Sequence, residues 1–234
     1  MERLDKILAN TGRWSRKEAR ELVRAGRVAV DGVTAQAADG KYDPAARFEV
    51  DGETVSGERL GYLMLHKPAG LVSATEDPRQ PTVLELLPQH LRRVGLFPAG
   101  RLDKDTEGLL LLTNDGPLAH RLLAPRHHVD KTYFVRVDGE LDGADAAAFA
   151  AGMVLEDGLA CLPAGLEVLE QPDTALVTLH EGKYHQIKRM LAARGKPVVY
   201  LKRLTMGPLM LDPALERGEW RPLSAEEVAA LRQA

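Results

Sequence analysis

The rhythm of hydrophobic positions changes near residue 60. Before it, Ala19, Leu22 and Val23 share one face of a helical period. On the opposite face Arg16, Arg20, Arg24 and then Arg27 recur at spacings of four, four and three, which predicts a single basic ridge. Ser15 with Glu18 forms a capping box that opens this helix, and Gly26 stops it after about Ala25. Val28-Ala29-Val30 then reads as a strand running into an Asp31-Gly32 turn. Periodicity lapses around Val55-Ser56-Gly57-Glu58, so a linker is expected there, dividing the chain into domains 1–58 and 61–234. Beyond it the pattern predicts short strands over Tyr62–His66, Leu109–Thr113, Thr132–Val137, Ala175–Leu179 and Val198–Leu204. Helices are predicted over Leu118–Leu123, Ala144–Ala151 and Tyr184–Arg194, and a second capping box at Ser224 and Glu227 opens a final one. Strands do not alternate regularly with long helices. The expected fold class is therefore α+β: a small domain, then a mixed, largely antiparallel sheet flanked by helices.

Composition narrows the class without naming it. The 44% apolar and 28% charged residues are ordinary for a globular chain. No apolar run approaches the roughly 18 residues a membrane helix needs. The opening Met1-Glu2-Arg3-Leu4-Asp5-Lys6 lacks the apolar core of a secretory signal, so a cytoplasmic, monomeric protein is expected. Cys161, the single cysteine, supports neither a disulfide nor a thiolate metal site. The net charge of -3 conceals a segregation. Residues 1–30 carry eight Lys/Arg against four acids, residues 182–205 carry seven Lys/Arg and no acid, and residues 137–181 carry ten acids and no Lys/Arg. Two basic regions of this kind can bind phosphate locally while the total stays near zero.

Elimination comes next. Neither a Gly-x-x-x-x-Gly-Lys-Ser/Thr loop nor a Gly-x-Gly-x-x-Gly turn is present, which speaks against a nucleotide hydrolase and weakens, without excluding, a cofactor-dependent methyltransferase. The seven histidines include no His-x-x-x-His pair, so no metal is expected. One segment stands out: Gly100-Arg101-Leu102-Asp103-Lys104-Asp105-Thr106-Glu107-Gly108, feeding a four-leucine run that must be a buried strand. A polar loop framed by glycines over a rigid strand suits a functional carboxylate. On spacing alone Asp103 or Asp105 equally suits ordinary turn hydrogen bonding.

The residues themselves carry a resemblance. Gly100-Arg101-Leu102-Asp103 with Asp105-Thr106 and Gly108-Leu109 resembles the active-site motif of pseudouridine synthases. Pro125-Arg126-His127-His128-Val129-Asp130-Lys131-Thr132-Tyr133, Gly182-Lys183-Tyr184-His185-Gln186-Ile187-Lys188-Arg189-Met190 and His66-Lys67-Pro68-Ala69-Gly70 resemble further blocks of the same family. Arg3-Leu4-Asp5-Lys6, Ser15-Arg16, Ala19-Arg20 and Gly26–Gly32 resemble an S4 RNA-binding domain. Among such families the chain is most similar to the ribosomal small subunit pseudouridine synthase A group. The resemblance implies isomerisation of a uridine in small-subunit (16S) rRNA, free or in an assembling subunit, with large-subunit (23S) rRNA as the alternative, a reaction with no redox step that requires no cofactor. It implies Asp103 as the catalytic carboxylate, acting as nucleophile or base, and Lys188 as its basic partner. It implies Tyr133 stacked on the flipped uracil, Ile187 as an apolar wall and Arg101 in the space the base vacates. It also makes Arg16, Arg20, Arg24 and Arg27 the RNA-binding ridge of the first domain. Two rivals are a non-catalytic S4-domain ribosome-assembly protein and an S4-linked methyltransferase. Intact Asp103, Tyr133 and Lys188 argue against the first, and the absent cofactor loop against the second.

Overall fold

The structure, a computed structural model, describes residues 1–11, 13–55, 61–92, 94–124 and 129–234. The expected linker beyond Val55 and the Pro125–His128 part of the tyrosine block lie outside the described residues. Contacts group the chain into two units, residues 1–61 with 87–97 and 113–115, and residues 62–86 with 98–112 and 116–234.

In the first unit, helix α1 (Leu4–Asn10) precedes helix α2 (Arg16–Arg24). The α2 capping box is made as expected: Ser15 accepts from the Glu18 backbone N–H while Glu18 accepts from that of Ser15. Strands β1 (Val28–Val30), β2 (Val33–Thr34), β3 (Phe48–Val50) and β4 (Glu53–Val55) pair in the order β2-β1-β3-β4, all antiparallel. Leu4, Ile7 and Leu8 of α1, spaced i, i+3, i+4, meet Ala19, Leu22, Val23, Val28, Val30 and Phe48 in one buried cluster. Pattern reading missed α1, which is only two turns long and has no side-chain N-cap.

The second unit is built on a mixed sheet. Its strands are β5 (Tyr62–Lys67), β6 (Glu107–Thr113), β7 (Lys131–Val137), β8 (Gly165–Val168), β9 (Thr174–Leu179), β10 (Val198–Arg203) and β11 (Trp220–Pro222). Their order is β8-β9-β7-β10-β6-β5-β11. Pairs β8–β9, β9–β7, β7–β10 and β5–β11 are antiparallel, whereas β10 and β6 run parallel. The α+β class is as expected. Leu109, Leu110, Leu111 and Leu112 are all fully buried, so both faces of β6 are covered. Its entry is tightly constrained: Gly108 has φ +106°, and a Cβ there would sit 2.2 Å from the carbonyl oxygen of Arg203, its register partner on β10.

Helix α3 spans Gly116–Leu123, α4 spans Gly143–Ala151, α5 spans Gln186–Ala193 and α6 spans Ala225–Gln233. The α6 capping box on Ser224 and Glu227 is formed. Helix α5 corrects an expectation, because it starts at Gln186 rather than Tyr184. His185 takes a left-handed conformation (φ 50°, ψ 33°), which a continuing right-handed helix cannot contain. Tyr184 therefore does not share a helical face with Lys188. Among the described residues no helix is long and apolar enough to cross a membrane.

Candidate active site

The loop between Gly100 and Gly108 is held from beneath by three residues that precede it in sequence. Ser73 Oγ donates to the Leu102 carbonyl at 2.9 Å and accepts from the Leu102 N–H at 3.1 Å. The Gly70 N–H donates to the Lys104 carbonyl at 2.7 Å. Lys67, fully buried at the end of β5, donates its ammonium to the carbonyls of Pro68 (2.9 Å), Lys104 (3.2 Å) and Thr106 (2.8 Å). Burial pulls the Lys67 pKa down to about 8, against the opposing charges of Asp105, Asp103 and Glu107. Inside the loop the Thr106 N–H closes a turn onto the Asp103 carbonyl at 3.1 Å. The backbone on either side of Asp103 is thus fixed, and its carboxylate is left for chemistry.

That carboxylate faces α5. Ile187, Met190 and Leu191 bury one face of the helix, which turns Lys188 toward the loop. Lys188 Nζ lies 3.0 Å from Asp103 Oδ2 and 2.5 Å from Asp105 Oδ1. Lys188 therefore bridges two carboxylates, where the resemblance had offered it one. Burial works against the ammonium, but the hydrogen bonds and charges of Asp105 and Asp103 outweigh it and raise its pKa. Burial likewise works against the Asp105 carboxylate, and its hydrogen bond to Lys188 overcomes this and lowers its pKa. A second partner is placed by the left-handed turn, with His185 Nε2 at 3.5 Å from Asp103 Oδ1.

Asp103, His185 and Lys188 line one open pocket. Arg101, Asp103, Tyr133, Ile187 and Lys188 all border it, together with Leu102, Leu179 and Leu201. Tyr133 comes from the middle of β7 and is mostly buried, while Arg101 is exposed. A negative group held by a lysine between an aromatic ring and aliphatic walls can receive a planar base and act beside it. Among the described residues no group of three or more His, Cys, Asp or Glu side chains is placed to hold a metal ion.

The RNA pseudouridylate synthase family model matches residues 61–193. The chain belongs to that family. It is an RNA pseudouridine synthase, an isomerase, with an S4 domain matched at residues 2–39. An RNA pseudouridine synthase of Bacillus subtilis is 49% identical, with 99% of this chain and 98% of that one covered. Ribosomal small subunit pseudouridine synthase A of Pseudomonas aeruginosa is 44% identical over 98% of this chain and 100% of its own length. A crystal structure of a pseudouridylate synthase superposes with a TM-score of 0.70 at 36% identity, covering 99% of this chain and 100% of that one.

The S4 unit of the synthase rearranges the expected arginine ridge. Asp5 is fully buried and gathers three guanidinium groups. Arg3 pairs with it through two hydrogen bonds (3.1 and 3.0 Å), Arg20 donates at 2.9 Å and Arg16 lies at 3.8 Å. Burial would raise the Asp5 pKa, but hydrogen bonds from Arg3 and Arg20 hold it below the ordinary value. Each of the three arginines stays about half exposed, so the cluster presents positive charge outward. Arg24 is exposed in the last turn of α2. Arg27 leaves the ridge: it lies beyond the helix end and pairs with Asp51 through two hydrogen bonds of 2.7 and 2.5 Å. The helical spacing stopped applying to it once Gly26 (φ +70°) turned the chain.

Arg3, Asp105, His185 and Lys67 fall within the sequence blocks above, but sequence reasoning gave none of them a role in the site. The Asp103-x-Asp105 spacing carried the signal for one of them. Nothing in an alternating strand pattern marks Lys67 as buried.

Proposed function

We propose that this synthase isomerises a uridine of ribosomal RNA, in the small subunit, with Asp103 as the catalytic carboxylate. The observation that carries the reading is the Asp103–Lys188 ion pair at 3.0 Å in a pocket bordered by Tyr133 and Ile187. Choice of the small subunit rests on full-length similarity to synthases bearing that name. The reaction breaks the bond from uracil N1 to ribose C1′, turns the base, and rejoins it through C5, which loses its proton to solvent while N1 takes one up. A uracil must leave its stack to reach the pocket, and Tyr133 is suited to stack on it there. Ile187 supplies an apolar wall, Lys188 holds and orients the Asp103 carboxylate at the ribose, and Arg101 is suited to occupy the space the base leaves.

Tritium release from transcripts of both rRNAs labelled at uridine C5 tests the activity. Release from the small-subunit transcript is the expected result, and release from the large-subunit transcript alone overturns the subunit assignment. Running the same assay on naked transcript and on partly assembled subunits identifies the form of RNA the enzyme accepts.

The S4 unit delivers the RNA in this reading, and the Arg3, Arg16 and Arg20 cluster is its phosphate contact. Asp5 preorganises the three guanidinium groups, which makes a counterintuitive prediction. Asp5→Asn removes a negative charge, yet it should weaken binding of an rRNA transcript about tenfold, on the order of 1.4 kcal/mol. Filter binding at fixed salt checks this. Tighter binding, as net charge alone dictates, would contradict the role given to Asp5.

A further inference from the structure

The rim of the pocket carries an aromatic pair that the reaction as described does not use. Tyr184 remains 75% exposed, the most exposed aromatic ring among the large hydrophobic side chains on the described surface. It is not a loose side chain. Its ring stacks on that of His185 with centroids 3.8 Å apart and planes 18° from parallel. His185 in turn borders the pocket and reaches the Asp103 carboxylate. Tyr184, His185 and Asp103 thus form a sequence of steps from solvent to the reacting carboxylate.

The turn that presents this pair is rigid and strained. His185 occupies left-handed backbone space that non-glycine residues seldom adopt. Buried groups hold it there. Gln186 donates to Glu181 at 2.8 Å, the Lys183 N–H donates to Gln186 Oε1 at 3.1 Å, and Glu181 also accepts from the Leu162 N–H at 2.9 Å. Glu181 and Gln186 are themselves buried. Such a construction keeps a large aromatic ring in water, which is unfavourable unless something covers it. In an enzyme that draws one base out of an RNA strand, the available cover is the π-face of a base beside the extracted one.

We propose that Tyr184, backed by His185, is a stacking subsite for a nucleobase flanking the target uridine. It rests on the rRNA-uridine reading above. Stacking tolerates any base, so the subsite contributes affinity and strand path and leaves sequence choice to other contacts. His185 then links the occupied subsite to Asp103: a base pressed on Tyr184 fixes the imidazole against the carboxylate.

The test uses the full-length enzyme and rRNA transcripts labelled with tritium at uridine C5, under single-turnover conditions. Tyr184→Ala should raise the half-saturating enzyme concentration roughly 5- to 150-fold, as loss of one base–aromatic stack does. Tyr184→Phe should restore the parent value, because the ring and not the hydroxyl makes the contact. Tyr184→Trp should bind like the parent, with emission of the added indole quenched by RNA. The proposal is overturned if Tyr184→Ala saturates like the parent, if Tyr184→Phe is as weak as Tyr184→Ala, or if the added indole is not quenched. Thermal melting of each variant separates weak binding from misfolding, and the exposed position of Tyr184 predicts unchanged melting. If the parent releases no tritium from either transcript, the uridine reading itself has failed, and the subsite with it. If the parent releases tritium and Tyr184→Ala behaves identically, the subsite alone has failed.

Discussion

Asp103→Asn is expected to bind rRNA as the parent does and to release tritium from C5-labelled uridine slower by at least roughly 10²- to 10⁴-fold, the range for a lost acid–base group. Loss of a nucleophile would lie at the upper end or beyond. The substitution keeps the shape and hydrogen-bonding reach of the side chain and removes only its charge. Folding should be little affected, because the Asp103 side chain is about a quarter exposed and the loop is held through backbone atoms. The ammonium it leaves is not orphaned either, since Lys188 retains Asp105 at 2.5 Å. RNA affinity should be equal or slightly tighter, one negative charge having gone from the pocket. Asp105→Asn is the internal control. Its side chain is 74% exposed and outside the pocket lining, so it should reduce the rate far less. Tritium release by Asp103→Asn at the parental rate would refute the assignment, and equal losses at both positions would move the chemistry to the pair.

Lys67→Met should destabilise the protein and slow the reaction together. The carbonyls of Pro68, Lys104 and Thr106 lose their common donor, and while Lys104 keeps the Gly70 N–H, the other two lose the hydrogen bond from the fully buried lysine. Each unsatisfied buried acceptor costs roughly 1–3 kcal/mol, and relief from burying the ammonium offsets part of the sum. A net loss on the order of 3 kcal/mol lowers the melting temperature by about 6–12 °C for a chain of this size. Lys104 and Thr106 bracket Asp103 and Asp105, so the loop loses its fixed path and the rate of tritium release falls even where the variant is folded.

The same residue leaves a signature in proton binding. Its folded pKa of about 8 lies below lysine's ordinary 10.5. Between those values the unfolded chain binds more protons than the folded one, so this group's contribution to stability rises with pH across that window. Unfolding at pH 9 therefore takes up about one proton at Lys67. Lys131, also buried and also drawn down to about 8, behaves alike. Calorimetric unfolding at pH 9 in buffers of different ionisation enthalpy should find about one proton fewer for Lys67→Met than for the parent. No difference would mean that burial does not depress the Lys67 pKa in the folded protein.

Several elements were legible in the sequence because their causes are local. The two serine capping boxes and the four-leucine strand follow from side chains adjacent in the chain, and each formed as expected. So did the α+β class, since it depends only on strands and helices failing to alternate. The start of α5 was not legible. Helical period ran smoothly back to Tyr184, whereas His185 takes left-handed space beside a Gln186 that is hydrogen-bonded to the buried Glu181 and to the Lys183 backbone. The arginine ridge failed for a related reason. Spacing places guanidinium groups on a face but does not reveal that Asp5 and Asp51 will draw them in two directions. No local pattern marks Lys67 for burial, because its carbonyl partners at Lys104 and Thr106 lie in a loop that comes much later in the chain. The pocket lining was legible through resemblance of blocks far apart in sequence. The sharing of Lys188 between Asp103 and Asp105 was not, because it depends on how one turn orients two neighbouring carboxylates.

Gly108 and Arg203 touch backbone to backbone where β6 and β10 run in parallel. The loop bearing Asp103 enters β6 at that point, and the helix bearing Lys188 precedes β10 in the chain. The active-site loop is consequently not a transferable cassette. Grafted onto another scaffold with its nine residues intact, it would keep its turn but lose the reference surface that sets it against the lysine. A designer wishing to move this chemistry would have to carry both strands and the helix as one block, with position 108 barred to every residue but glycine.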